Sequence, residues 1–403
     1  MESYDVAIIG AGISGIRFAQ QALKHKLSNV VIEKNAKPGG CIETFYPPNA
    51  PQFWTELGAH TAYNSYHHLL EYCDWNNLIK DLEIRDRQNF KLLDQYNHIC
   101  SIFKQLNLIR AGIGLGLFKL TKPKLRTVSE YFSFVFGKKN YHQVLQYCFD
   151  AVLCQDSGDF PADFLFKKRH KNKKFPRSFT FKNGMSTLFS SPKVGTLNIE
   201  FNHPCQKIIY ENGAWYISTG LKEYHAQQLM LATPWHITQK LLGAIKHPIA
   251  TLNYQPLISH IKTISLVLDK QKTDHIKPMA GLIGIKQQFY AMVSRDIIPN
   301  PNYRGFTVHF RSTEIEPEKL LSDFLKQCNI PHYAVVDYTV KDNVVPAYTK
   351  NHHLFIGGLD RALTKDNSLY LAGNYFTRLA IEDCIYRADN EINRLLLNHV
   401  DSR

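Results

Sequence analysis

An α/β fold built on parallel strands is predicted from three stretches of the chain. Residues 5–34, DVAIIGAGISGIRFAQQALKHKLSNVVIEK, read as an apolar strand, a glycine turn, a helix and a second strand ending in an acid. Far downstream, Leu229-Met230-Leu231-Ala232-Thr233-Pro234 and Ser368-Leu369-Tyr370-Leu371-Ala372-Gly373-Asn374-Tyr375 repeat the pattern of a short apolar run broken by a turn. Both are expected to return to the first strands. In the N-terminal stretch Gly10 permits the tight turn, Gly12 lets the backbone approach a pyrophosphate, and Gly15 lets the helix pack on the strand. The helix opening at Ile13 and Ser14 points its N-terminus at the diphosphate. Glu33, with Lys34 beside it, stands where an acid accepts ribose hydroxyls. This is the spacing of a Rossmann-type dinucleotide-binding unit.

The nature of the dinucleotide follows from what comes next. After the ribose acid the chain runs Asn35-Ala36-Lys37-Pro38-Gly39-Gly40-Cys41-Ile42-Glu43-Thr44, and then Glu56-Leu57-Gly58-Ala59-His60. A second glycine pair followed by a short E-x-G segment resembles the N-terminal region of the flavin amine oxidase superfamily, which includes protoporphyrinogen oxidases and phytoene desaturases. The resemblance implies FAD rather than NAD, held non-covalently, with Gly39, Gly40, Cys41, Gly58, Ala59 and His60 at the cofactor. It also implies a discontinuous Rossmann-type FAD-binding domain combined with an α+β substrate domain.

The remaining elements are placed in chain order. Residues 1–65 form the first part of the FAD-binding domain. Residues 66–180 are read as a helical part of the substrate domain, because apolar residues recur at three- and four-residue spacing through 66–72 and 128–148. At Phe181-Lys182-Asn183-Gly184-Met185-Ser186-Thr187-Leu188 a G-M-x-x-L turn, similar to one in the same families, begins the second FAD-binding part, 181–250. It holds a strand at 197–201, a hairpin at 205–217, and the strand and A-x-P turn through Ala232; in relatives the backbone beside a Cys205-like position pairs with the adenine. Alternation in 261–268, 288–293 and 305–310 predicts a half-buried, antiparallel sheet for the substrate domain over 251–345. Residues 346–403 complete the FAD-binding domain, ending in a helix over 381–397.

Composition bounds the function. A chain of 403 residues, 44% hydrophobic and 12% aromatic, suits packed globular cores. The first strand begins almost at Met1 and no apolar run reaches the roughly 20 residues that cross a bilayer, so a cytoplasmic protein is expected. Eight cysteines without a C-x-x-C or His/Cys ligand spacing suit reduced thiols and no metal site. Of the net charge of +13, about half lies in Lys167-Lys168-Arg169-His170-Lys171-Asn172-Lys173-Lys174-Phe175-Pro176-Arg177. No nucleic-acid reader motif accompanies it, which leaves a solvated loop or peripheral contact with anionic lipid or an acidic substrate. The oligomeric state is left open.

The C-terminal pattern is the fullest part of the resemblance. Val345-Pro346-Ala347-Tyr348, Leu371-Ala372-Gly373-Asn374-Tyr375 and Glu382-Asp383-Cys384-Ile385 are similar to the P-x-Y, L-A-G-N-Y and D-C-I segments of protoporphyrinogen oxidases. The similarity puts Gly373 and Asn374 against the pyrophosphate, and Ala380 and Ile381, at the start of the last helix, against the flavin. Two features depart from that pattern: His60 replaces an arginine, and Thr377-Arg378-Leu379-Ala380 replaces a glycine-rich turn. A third departure, Lys262 in His260-Ile261-Lys262-Thr263, falls where amine oxidases carry a lysine that holds a water on the flavin; an alternating strand equally allows a solvent-facing rung. Lys262, His60 and Arg378 are the catalytic and substrate-anchoring candidates. The expected activity is two-electron oxidation of a small-molecule substrate, porphyrinogen-like and carboxylate-bearing, with flavin reoxidation by O2. An amine or amino acid oxidase is the alternative, followed by a mutase-like enzyme that uses flavin without net oxidation.

Overall fold

In the computed structural model, which describes residues 2–58, 61–311 and 313–401, the chain forms two large sheets clad by helices. In chain order the main elements are β1 (Glu2–Ile9), α1 (Ile13–Lys24), β2 (Asn29–Ile32), α2 (His67–Trp75), β3 (Phe90–Leu93), β4 (Ile99–Ser101), α3 (Leu108–Leu120) and α4 (Val128–Phe136). Then follow β5 (Ile199–Glu200), β6 (Lys207–Glu211), β7 (Ala214–Ser218), β8 (Glu223–Leu231), β9 (Leu257–Asp269), β10 (Gly281–Gly284), β11 (Phe289–Ser294) and β12 (Tyr303–Phe310). The last are α5 (Pro317–Gln327), β13 (Val335–Ala347), α6 (His352–Thr364), β14 (Leu369–Leu371) and α7 (Ile381–Asp401).

The first sheet has the order β5-β2-β1-β8-β7-β6, with β14 pairing β8. Strands β5, β2, β1, β8 and β14 run parallel, Ile9 lying opposite both Ile32 and Leu231, and Leu231 opposite Leu371. Their apolar runs are buried on both sides, as central parallel strands require. One side packs on α1 and α7 through Ile16, Phe18, Ile385 and Ala388; the other packs on α6 and a helix at Trp235–Ala244 through Leu242, Phe355 and Leu359. The α/β class and the Rossmann-type unit are therefore as expected.

The second sheet has the order β13-β9-β12-β11-β10-β3-β4. It differs from expectation in three ways. The pairing of β10 with β3 is parallel, so the sheet is mixed. Both β3 and β4 come from the stretch read as helical, their short alternations hidden between helices. The sheet is also buried on both faces over Ile261–Leu268. Even-numbered residues of β9 (Ile264, Leu266, Leu268) join Phe306, Val308 and the α5 residues Leu320 and Phe324 in an apolar core. Odd-numbered Thr263 and Ser265 are buried against the first sheet's loops, Ser265 Oγ donating to Thr55 Oγ1 at 2.6 Å.

The long helix expected over 128–148 is broken. Gly137 at φ +87° ends α4, and a π-helical turn at Tyr141–Leu145 precedes a further helix at Gln146–Leu153. Strand β13 carries Pro346 just before its last residue, Ala347, which an edge strand accommodates because the lost N–H removes no needed ladder bond. Among the described residues no helix is long and apolar enough to cross a membrane.

Candidate functional site

The carboxyl ends of β1, β8 and β14 meet at a crevice, the position at which open parallel sheets bind ligands. Gly10 makes the turn out of β1 at φ +105°, and a Cβ there would lie 2.8 Å from the Ala232 carbonyl oxygen. A Cβ on Gly15 would lie 1.9 Å from the Gly10 oxygen, so α1 rests directly on the turn. Gly12 is different: a Cβ there would meet nothing within 4 Å. The N-terminus of α1, with Ile13 and Ser14 in its first turn, thus opens onto empty volume. Gly39 and Gly40 form the neighbouring wall, Gly39 donating to the Ala11 carbonyl at 3.0 Å, and a Cβ on Gly40 would stand 3.6 Å from Gly12 Cα.

Cys41 is open to water although protein rings it closely, and that burial raises its thiol pKa. A Cβ on Gly58 would stand 1.8 Å from the Cys41 carbonyl oxygen, which pins the Glu56-Leu57-Gly58 segment to the wall. Glu33 is buried, its oxygens accepting Ala11 N–H at 2.7 Å and Asn35 N–H at 2.9 Å. Each oxygen keeps acceptor capacity for a further donor. The Ala232 amide is bound to the Ile9 carbonyl, Gly373 follows β14, and Ala380 caps α7 by accepting the Asp383 and Cys384 amides. Ser14 Oγ reaches the Cys384 carbonyl at 3.3 Å, joining the first turns of α1 and α7. Cys205 lies just before β6, and Lys34 beside Glu33.

These residues suit a bound dinucleotide. The space above Gly12 is one that a side chain would fill, and a helix N-terminus offers backbone donors to an anion in it. Cys384 is buried, its thiol pushed up to about 12, so it stays a neutral thiol. Among the described residues no cluster could hold a metal ion.

The candidates named for chemistry fare unequally. Ala59 and His60 lie outside the described residues. Lys262 is buried on the sheet face opposite Thr263, so alternation turns it away from Leu57, and its Nζ holds Asp342 Oδ1 of β13 at 2.8 Å. It is neither a lysine facing the crevice nor a solvent rung. Arg378 donates from Nε to the Phe164 carbonyl at 3.0 Å and from Nη2 to the Asp163 carbonyl at 3.3 Å, so most of its fork braces a short helix at Ala162–Leu165.

Other groups occupy the face that Lys262 leaves. Lys341 of β13 reaches the Gly40 carbonyl at 3.3 Å and Glu43 Oε2 at 2.7 Å. Asn343 donates to the Leu57 carbonyl at 2.8 Å and to Thr263 Oγ1 at 2.9 Å, and Thr263 Oγ1 meets His309 Nδ1 at 3.0 Å. Burial holds the His309 imidazole down to about 4, so it is neutral at pH 7. Glu56 is also buried, accepting Met185 N–H at 2.7 Å and the Thr44 hydroxyl at 2.9 Å, and burial raises its carboxyl to about 8. The sequence signal for this polar face is the T-x-S and T-x-H alternation inside apolar strands at Thr263, Ser265, Thr307 and His309.

Together the fold and crevice define an α/β protein with a Rossmann-type unit and a second sheet packed against it. Comparison with known proteins agrees. Residues 8–74 match the NAD(P)-binding Rossmann-like domain family. A stretch of 86 residues, 21% of the chain, is 35% identical to thioredoxin reductase of Mycoplasma genitalium, of whose length the chain spans about a quarter (27%). Over nearly its whole length the chain is similar to a provisionally assigned protoporphyrinogen oxidase of Exiguobacterium sp. 255-15, with a TM-score of 0.77 and 17% identity over 98% of this chain and 99% of that one. It is similar also to cyclohexylamine oxidase of Brevibacterium oxydans IH-35A, with a TM-score of 0.74 and 12% identity over 99% and 100%. A fatty acid isomerase of P. acnes that produces CLA gives 0.71 and 14% over 97% and 98%. The fold is that of the protoporphyrinogen oxidase and amine oxidase structures expected from the sequence.

Proposed function

We propose that the chain is an FAD-dependent oxidoreductase that takes two electrons from a large, apolar, carboxylate-bearing substrate, with O2 reoxidising the flavin. The observation that carries this reading is the open volume over Gly12, bounded by Gly40 and Cys41 and roofed by the polar face of β9, β12 and β13. When bound, FAD supplies hydride acceptance and subsequent electron transfer. The chain's own residues do the rest. The α1 N-terminus and the backbone of Gly12, Ile13 and Ser14 would hold the pyrophosphate together with Gly373 and Asn374; Ala380 and Ile381 would lie against the flavin, Glu33 would take the ribose and the backbone at Cys205 the adenine. Gly39, Gly40, Cys41, Gly58 and Ala232 line the path to the flavin. Neutral His309 and the amide of Asn343 keep Thr263 oriented toward the crevice. Lys341, the cation facing this wall, is set to balance negative charge beside Gly40.

Anaerobic mixing of the yellow holoprotein with porphyrinogens, amines and amino acids tests the proposal: rapid bleaching by one class names the substrate, and no bleaching by any donor would sink the oxidase reading. An isomerase reading is supported by the similarity to the fatty acid isomerase fold. It predicts turnover of an unsaturated acid without O2 uptake.

A further inference from the structure

Helix α3, LIRAGIGLGLFKL, is apolar on every side yet lies on the surface. Helices of that composition are normally buried in a core or a bilayer. Here Gly114 is the buried position: a Cβ on it would stand 2.5 Å from the Phe136 ring and 2.9 Å from the Val135 carbonyl, so the helix leans on α4 along one side, where Arg110 donates to the Val135 and Phe134 carbonyls and Phe118 meets the Phe132 ring. Its apolar side chains project outward, Ile109 being 81% and Leu120 83% exposed, with Ile113 and Leu115 more than half exposed. Phe103, Leu125 and Phe134 extend the patch beyond the helix. Such a contiguous apolar surface marks a contact site.

The surrounding charge says what the contact is. From Asp94 to Glu130 the chain contains no acidic residue between them, while Lys104, Arg110, Lys119, Lys122, Lys124 and Arg126 are all basic. A second copy of the chain docking here would bring this basic rim against itself. An anionic surface with an apolar interior satisfies both features. Thirteen residues give about 20 Å of helix, too short to span the roughly 30 Å hydrocarbon layer but suited to lying in its interface. We propose that α3 and its basic flanks seat the protein on an anionic lipid bilayer, apolar side chains in the acyl boundary and lysines among the headgroups. This surface is separate from the 167–177 loop, where Arg169 is already engaged by Asp383 at 2.6 Å.

Co-sedimentation of the full-length holoprotein with phosphatidylcholine vesicles, with and without phosphatidylglycerol, tests this. Binding is expected to the mixed vesicles, weakening as salt rises. Ile109→Gln combined with Leu115→Gln, both exposed and so neutral to folding, should weaken it roughly tenfold or more, and Lys122→Glu with Lys124→Glu should do the same. Unchanged flavin content and melting temperature confirm that the variants are folded. The proposal fails if the wild type ignores phosphatidylglycerol vesicles, or if these variants bind as wild type does. It fails equally if Lys171→Glu with Lys173→Glu and Lys174→Glu abolishes binding while the α3 variants retain it. Concentration-dependent dimerisation without vesicles, lost in the Ile109/Leu115 variant, would assign the patch to a second copy instead.

Discussion

Two glycines three residues apart do opposite work. A side chain at Gly15 collides with the Gly10 backbone, whereas one at Gly12 enters space that the chain leaves free. Gly12→Val is therefore expected to fold, keep its melting temperature within a few degrees of the apo wild type, and contain no flavin; Gly15→Val is expected to yield little soluble protein. Absorbance of the purified variants decides both, and stoichiometric flavin in Gly12→Val would remove the crevice from the reading. The two lysines of adjoining strands divide in the same way. Lys262→Met removes an ion pair to an exposed carboxylate, worth about 0–1 kcal/mol, and should leave both flavin half-reactions unchanged. Lys341→Met should slow one of them or weaken flavin retention, because that ammonium faces Gly40. Stopped-flow reduction and reoxidation separate the outcomes. What the sequence conveyed at this scale was the glycine spacing. What it could not convey was which side of β9 faces the crevice, since alternation gives two faces without saying which is roofed.

Two buried titratable groups, His309 on the second sheet and Glu56 on the segment packed against it, set a pH window. His309 is held near 4 in the folded chain, below the 6.5 of a free imidazole, so the unfolded chain takes up the proton first and stability falls as pH drops from about 6.5 to about 4. Glu56 is shifted the other way, to about 8 from 4.5, so its contribution is complete below about 4.5 and is lost as pH rises through about 8. Each group acts with a limiting slope of ~1.4 kcal/mol per pH unit. Glu56→Gln should flatten the alkaline limb of a melting-temperature profile and His309→Asn the acid limb. If the alkaline limb of Glu56→Gln matches the wild type, the carboxyl is ionised in the fold.

At the scale of elements, the basic loop is held down rather than free. Arg169 pairs with the buried Asp383 in the first turn of α7 and lies over the Tyr66 ring, while the His170 carbonyl meets His67 Nε2 at 2.8 Å. Glu382, next to Asp383, accepts the His68 and Leu69 amides and so caps α2. One turn of α7 thus fastens a loop and a helix from the first half of the chain. Removing the Arg169 guanidinium leaves the buried Asp383 carboxylate only the more distant Lys167 Nζ at 3.9 Å, at a cost of up to about 3–5 kcal/mol. Arg169→Met is expected to speed tryptic cleavage at the exposed Lys171 to Lys174 many-fold; an unchanged cleavage rate would show the loop to be held elsewhere. Elements with a single strong period, such as α1, β1, β8 and α7, were legible in the sequence. Those that failed had mixed signals: β13 carries charges among its apolar residues, and 128–148 keeps a helical period across Gly137 although the backbone turns there.

For the whole molecule, nucleotide binding and stability are coupled through a sheet assembled from distant segments. A ligand that binds only the folded state at a hundred times its Kd adds about 2.7 kcal/mol, so FAD should raise the melting temperature of the deflavinated protein and NAD should not. Stabilisation by NAD instead would overturn the FAD assignment. The α/β class and the return of remote strands to the first sheet could be inferred from three short motifs. The mixed second sheet could not, because β3 pairs with a strand nearly two hundred residues away, β4 joins the sheet only through β3, and short strands carry little local signal.

The pairing of β8 with both β1 and β14 also bears on how the molecule comes off the ribosome. Arg17, almost wholly buried in α1, has its second carboxylate on Asp389, and β14 sits at residues 369–371. An emerging chain therefore holds a complete glycine fingerprint early but cannot cover α1, nor satisfy that guanidinium fully, until α7 has been made. Late closure of this kind makes a slow folder that depends on chaperones while it waits. A chain stopped at residue 365 should accumulate in aggregates even though every residue of the glycine motif is present.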